Sequence, residues 1–137
     1  MDFLEFSDTR RMAQFADSMF TDLAARKISN LIIDLRNNGG GNSEVGDILL
    51  RYISPEPFVQ MEKMLARVTP LTARLMGNPG IETMFYFHET DPSEYIKPLS
   101  AEEGHYAGKV YLLTSNKTFS SAGSFAWAFK VCGMGTV

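Results

Sequence analysis

An α/β fold with parallel strands is what this sequence predicts, and three observations predict it. Leu31, Ile32, Ile33 and Leu35, and much later Val110, Tyr111, Leu112 and Leu113, form two short apolar runs with the composition of buried strands. Each run is stopped by a polar or glycine-rich break and followed by apolar residues at helical spacing. A further helical stripe stands before the first run. The order is then strand, helix, strand, loop, helix, which points to a layered arrangement with parallel strands. A chain of 137 residues with 45% hydrophobic content can bury a real core, as one globular domain or a large piece of one.

Taken in order, Phe3, Leu4, Glu5 and Phe6 form a short strand that begins almost at the first residue. Ser7 or Asp8 caps the next helix, where Met12, Phe15, Ala16, Met19, Phe20 and Leu23 make a stripe of period 3.6. Arg26 and Lys27 fall in its last turn, where cations suit the helix dipole. The strand at Leu31 follows, predicted to be buried on both faces. Asn37, Asn38, Gly39, Gly40, Gly41 and Asn42 end it, and the glycines allow positive φ and a close approach by another backbone or a ligand. Asn37 and Asn38 can hold the turn by bonding their own backbone. Ser43 is the expected cap of a helix carrying Val45, Ile48, Leu49 and Tyr52 on one face.

All six prolines fall between Ser54 and Gly108. Residues 58–68 fit a helix or a strand equally, residues 71–76 a short helix, and Met84, Phe85, Tyr86 and Phe87 a strand or a groove wall. Residues 54–107 are therefore expected to be an insertion or lid within a single domain rather than a second domain. Lys109 to Thr114 restore a strand. Ser115 to Thr118 break it, and a helix rich in small residues starts near Phe119 and ends before Gly133. Thr136 and Val137 look like the start of another strand, cut off there.

Net charge of −3 and an isoelectric point near 5.3, with Lys and Arg scattered, argue against nucleic acid as a partner. The lone Cys132 excludes an internal disulfide framework. No apolar run approaches the roughly 18 residues of a membrane span, and the first residues do not read as a signal peptide. The glycine run lacks the lysine and spacing of a phosphate loop. His88 has no second histidine four positions on, and no zinc set exists; neither metal nor cofactor is expected.

Two places carry chemistry. The glycine loop presents bare backbone N–H groups of the kind a developing negative charge requires, or is simply a tight turn. Ser120 sits where a strand gives way to a helix N-terminus; it is either a nucleophile poised at free amides or a helix cap.

Together the two units resemble peptidase family S41, the tail-specific or C-terminal processing peptidases. The resemblance rests on LIIDLRNNGGG in the first unit and LTSNKTFSSAGSFAWAFK in the second, over about the first 55 and last 30 residues. It implies a Clp protease/crotonase-like layered fold of stacked β-β-α units, truncated here at the C-terminus. By position it implies Ser120 as the nucleophile, with the backbone N–H groups of Gly40 and Ser121 as the oxyanion hole. Asp34 and Arg36 then brace the loop. It further implies a peptide or protein substrate and, in bacteria, a periplasmic or extracytoplasmic site.

Two departures accompany it. Gly123 stands where many members carry glutamate, and the family's usual lysine base lies downstream of the serine helix, beyond Val137. Lys130 is ~15 Å along the helix from Ser120, and nothing aims Lys117 at it. His88 and His105 are the other candidate bases. A serine without a base is a poor nucleophile, so this chain alone is expected to be weak or inactive. The rival expectations are a peptide- or apolar-ligand-binding module that has lost catalysis, and a crotonase-like acyl-CoA enzyme that needs no serine nucleophile.

Overall fold

The structure, a computed structural model, describes every residue from Met1 to Val137. The chain divides into two compact units, one of Met1–Gln60 with Tyr95–Val137 and one of Met61–Glu94. Within the first, Phe58 and Ile96 pair antiparallel through Phe58 N–H to Ile96 O (3.0 Å) and Ile96 N–H to Phe58 O (2.8 Å). That bridge joins the two chain ends flanking residues 61–94. The second unit falls inside the irregular stretch 54–107, and the rest of that stretch belongs to the first.

In the first unit, helix α1 (Thr9–Ala25) precedes strand β1 (Asn30–Asp34). Of the two predicted caps it is Asp8 that caps α1, its carboxylate accepting the Arg11 N–H. The glycine loop leads to helix α2 (Ser43–Leu50), where Asn42 rather than Ser43 is the N-cap, its side chain accepting the Glu44 N–H at 3.0 Å. An Asx side chain one residue earlier does the same work, so sequence alone misplaces the cap by one position.

β1 pairs in parallel with a later strand (Lys109–Leu113), with Ile32 opposite Tyr111. Single parallel bridges, Asp2 to Asp34 on one side and Tyr111 to Thr136 on the other, extend the sheet at both edges. The predicted strand at residues 3–6 is thus a segment tied at its two ends, by Asp2 to Asp34 and by Phe6 to Gly41. Thr136 does start a further parallel pairing. The last helix (Ser121–Val131) ends at Cys132, and Gly133 turns with φ of 64°.

One core forms on one face of this sheet. Leu31, Ile33, Val110 and Leu112 point into it and meet Phe20, Val45, Leu49, Ala122, Phe125 and Phe129 from the three helices. The rings of Phe3, Phe6 and Phe125 lie 4.4 to 6.2 Å apart, and Phe20 stacks on Tyr52 at 4.4 Å. Burying one such ring contributes roughly 1.5–3 kcal/mol. Two expectations are corrected here. β1 is buried on one face only: Ile32 is 51% exposed, beside exposed Tyr111 and Leu113. Phe15 also departs from its predicted stripe and is exposed, while Ala16 and Phe20 are buried. Ile32 shares its open face with Asn30 and Asp34, while Leu31 and Ile33 share the covered one; the unbroken run Leu31–Ile33 masks that alternation.

The second unit is an antiparallel ribbon. Strand β2 (Lys63–Val68) resolves the ambiguity at residues 58–68 as a strand, and it pairs with β3 (Met84–Glu89). Helix α3 (Pro70–Leu75) connects them, opened by Thr69 in a capping box with Thr72. All of β3 is exposed. With these strands numbered, Lys109–Leu113 is β4 and Ser121–Val131 is α4.

Candidate active site

The loops after β1 and β4 converge. A Cβ added to Gly40 would lie 2.8 Å from both Phe119 O and Ser120 Cβ and 2.9 Å from Ser121 N. Gly40 also has φ of 102°. Only glycine fits there, because the approach excludes a side chain and the backbone sits in the left-handed region.

What holds the loops together is a row of hydroxyls. Ser115 Oγ donates to Arg36 O (2.5 Å), Thr118 Oγ1 to Leu35 O (2.8 Å) and Ser121 Oγ to Gly41 O (2.5 Å). The Phe119 N–H adds a bond to Asn38 O (3.2 Å). Sequence reasoning missed this set, although the hydroxyl-rich string from Ser115 to Ser121 was its visible signal.

Asn38 was also undervalued. It is fully buried. Its Oδ1 accepts the Gly40 N–H at 2.8 Å, a bond to its own loop of the expected kind, and its Nδ2 donates to Phe3 O at 2.7 Å, which no local pattern shows. One side chain therefore fixes the glycine loop against the N-terminal segment.

Below the loop, the Arg36 guanidinium grips the Asp34 carboxylate, with Nη2 to Oδ2 at 2.6 Å and Nε to Oδ1 at 3.0 Å. The Arg36 N–H adds 2.9 Å to Oδ1. These hydrogen bonds from Arg36 hold the Asp34 pKa down to about 2. The pair is committed to itself, in keeping with a bracing role.

Ser120 stands at the N-cap position of α4 with φ of 52° and ψ of −126°. Its hydroxyl makes no capping bond, and its side chain is exposed. A non-glycine residue in that backbone region is strained by about 1–3 kcal/mol. Ser120 lies seven positions after Leu113, the last residue of β4, and immediately before α4. Simple capping does not describe it: a cap residue has extended backbone and a bonded side chain.

The Ser121 N–H, in the first turn of α4, makes no intramolecular bond, and the amides of Gly39 and Gly41 are likewise unpaired. The Gly40 N–H is engaged by Asn38. Gly123 faces open space, with nothing within 4 Å of an added Cβ.

His105 follows the turn at residues 100–104, and the next residue, Tyr106, bonds Tyr52 O and Ile28 O. Those atoms lie at the start of β1 and the end of α2, so His105 sits at the opposite end of the sheet from Ser120. Lys130 is in the last turn of α4. Lys117 has an exposed side chain, and its N–H is bonded to Ser115 Oγ. His88 lies in β3 of the second unit, opposite Met64. No three His, Cys, Asp or Glu side chains converge as a metal set, and no helix is long and apolar enough to cross a membrane. A cavity of about 260 Å³ opens at the N-terminal segment, lined by Phe3, Asp8, Met12, Phe15 and Val45 and by none of the candidate site residues.

The site is thus a strained serine at a helix head, packed against a glycine loop beside a parallel sheet. The sequence profile of Peptidase family S41 matches residues 2–137, and the chain belongs to that family. Its fold is similar to several solved structures. Mature CPAF superposes with a TM-score of 0.69 at 16% identity, over 98% of this chain and 35% of that one. A putative peptidase from Parabacteroides merdae gives 0.63 at 18%, over 97% and 36%. The photosystem II D1 C-terminal processing protease gives 0.59 at 19%, over 98% and 28%. The chain thus spans about a third of the length of these structures.

Proposed function

We propose that this chain carries the nucleophile and oxyanion hole of a serine endopeptidase of the C-terminal processing type. One observation carries the reading: Ser120, strained and uncapped at the head of α4, packs against a glycine whose position admits no side chain. Ser120 Oγ attacks a peptide carbonyl. The Ser121 N–H is open to receive the oxyanion, favoured by the α4 N-terminus. Gly40 supplies a second donor, its N–H being shared with or released from Asn38 Oδ1 as charge develops.

Membership of a peptidase family supports peptide or protein substrates. No lysine or histidine hydrogen-bonds the Ser120 hydroxyl, and the reading takes the base from a residue beyond Val137. This chain alone is expected to react slowly. A fluorophosphonate probe applied to the chain and to a polypeptide extended to the length of its relatives tests this. Adduct formation on Ser120, strong in the longer form and lost in Ser120→Ala, is expected. Absence of an adduct in the longer form, or an adduct that survives Ser120→Ala, refutes it.

A further inference from the structure

The ribbon of Met61–Glu94 leaves one face bare. On that face three cross-strand pairs follow one another: Lys63 with Glu89, Leu65 with Phe87, and Arg67 with Phe85. Leu65, Phe85 and Phe87 are 69%, 67% and 59% exposed. The other face of β2, with Met64, Ala66 and Val68, is half-buried, and Ala73 of α3 is buried.

Each pair on the bare face is complementary in kind. Lys63 Nζ and Glu89 Oε1 form an ion pair at 2.9 Å, Leu65 and Phe87 are both apolar, and Arg67 is a cation opposite an aromatic ring. Arg67 has no carboxylate within ion-pair distance. Now lay two such ribbons face to face about a twofold axis parallel to the strands. Every side chain then meets the cross-strand partner of its equivalent. Lys63 faces the second copy's Glu89, Leu65 its Phe87, and Arg67 its Phe85. Charge and apolar surface match at all three levels, so the face is complementary to itself, as an isologous interface requires. The strands of the two ribbons run aligned, the ordinary way for sheets to stack.

We propose that this face of the β2–β3 ribbon is a docking surface for a second copy of this chain. The proposal uses nothing of Ser120 and stands apart from the peptidase reading. Six residues a side is well below the roughly 20–30 of a standard interface, so the association is weak and concentration-dependent.

Sedimentation velocity over a concentration series tests it. The mass should rise from the single-chain value of 15.3 kDa toward twice that as concentration increases. Leu65→Asp and Phe87→Asp should each hold the chain at single mass throughout, with an unchanged circular dichroism spectrum because both side chains already face solvent. Leu75→Asp, at a site 78% exposed on α3 and off this face, should associate as the parent does. A single-chain mass at every concentration overturns the proposal, as does association that survives Leu65→Asp or is equally lost in Leu75→Asp. A monomer that instead binds an extended apolar peptide through Leu65 and Phe87 overturns it too, and gives the face to a peptide.

Discussion

Replacing Asn38 with alanine should be among the costliest changes available near the candidate site. The side chain is fully buried and makes two hydrogen bonds, accepting from Gly40 N–H at 2.8 Å and donating to Phe3 O at 2.7 Å. Alanine removes both and leaves a buried carbonyl and a half-buried amide without partners. A group stranded in this way costs about 1–3 kcal/mol. Gly40 is partly open to water, so its amide falls at the low end and Phe3 O at the high end, which puts the loss at about 2–4 kcal/mol. That is a large share of the roughly 5–15 kcal/mol by which domains are stable. Urea unfolding at constant m-value reads it directly.

Asn38→Asp sharpens the test. When protonated, the introduced carboxyl reproduces the amide, its O–H donating to Phe3 O and its carbonyl accepting from Gly40. Burial without a cation raises its folded-state pKa above the unfolded value of ~3.9. Stability is then fully present below that unfolded value and lost as pH rises through the folded one. Asn38→Asp should therefore unfold close to the parent in acid and well before it at neutral pH. A loss below about 1 kcal/mol for Asn38→Ala, or a pH-independent Asn38→Asp, refutes the keystone role.

Two further outcomes are expected. Burial raises the Asp47 pKa, the Gln60 hydrogen bond (2.7 Å) opposing it and Glu44 reinforcing it. The fold thus favours protonated Asp47, and that contribution is complete below the unfolded pKa and lost as pH rises through the folded one. Asp47→Asn should raise the urea midpoint at neutral pH, with the difference closing below about pH 4. Ser120→Gly relieves a backbone strain of about 1–3 kcal/mol at the expense of about 0.5–1 kcal/mol of chain entropy. Its midpoint should rise while fluorophosphonate labelling disappears; a lowered midpoint contradicts the strain.

Much of the architecture is local in origin and was legible. Asp8 caps α1 because a short acceptor side chain reaches the next turn's amide, a pattern visible within four residues. The cap of α2 was legible only to within one position, Asn42 standing in for Ser43. Gly40 and Gly41, with φ of 102° and 138°, occupy a loop that the run of three glycines announces. The apolar stripes give the strand–helix alternation, and the placement of Ser120 at a helix head follows from the break after β4. Less legible were Ile32 and the ribbon. Ile32 reads as core by composition and lies open, because which face of β1 is covered depends on helices elsewhere in the chain. Residues 58–68 carry no periodicity that separates helix from strand, and their pairing with residues 84–89 decides it.

By itself, then, the sequence determined the strand–helix alternation around β1 and β4, the glycine loop and the family to which these residues belong. Only the tertiary structure decided that Ser120 is strained and uncapped, that Asn38 is the keystone, and that three hydroxyls fasten one loop to the other. The reason is range. Caps, turns and stripes are set by neighbours a few positions away, whereas those hydroxyl bonds join residues 79 to 83 positions apart. Their partners are chosen by how the sheet and helices pack, and no local pattern of residue types encodes that choice.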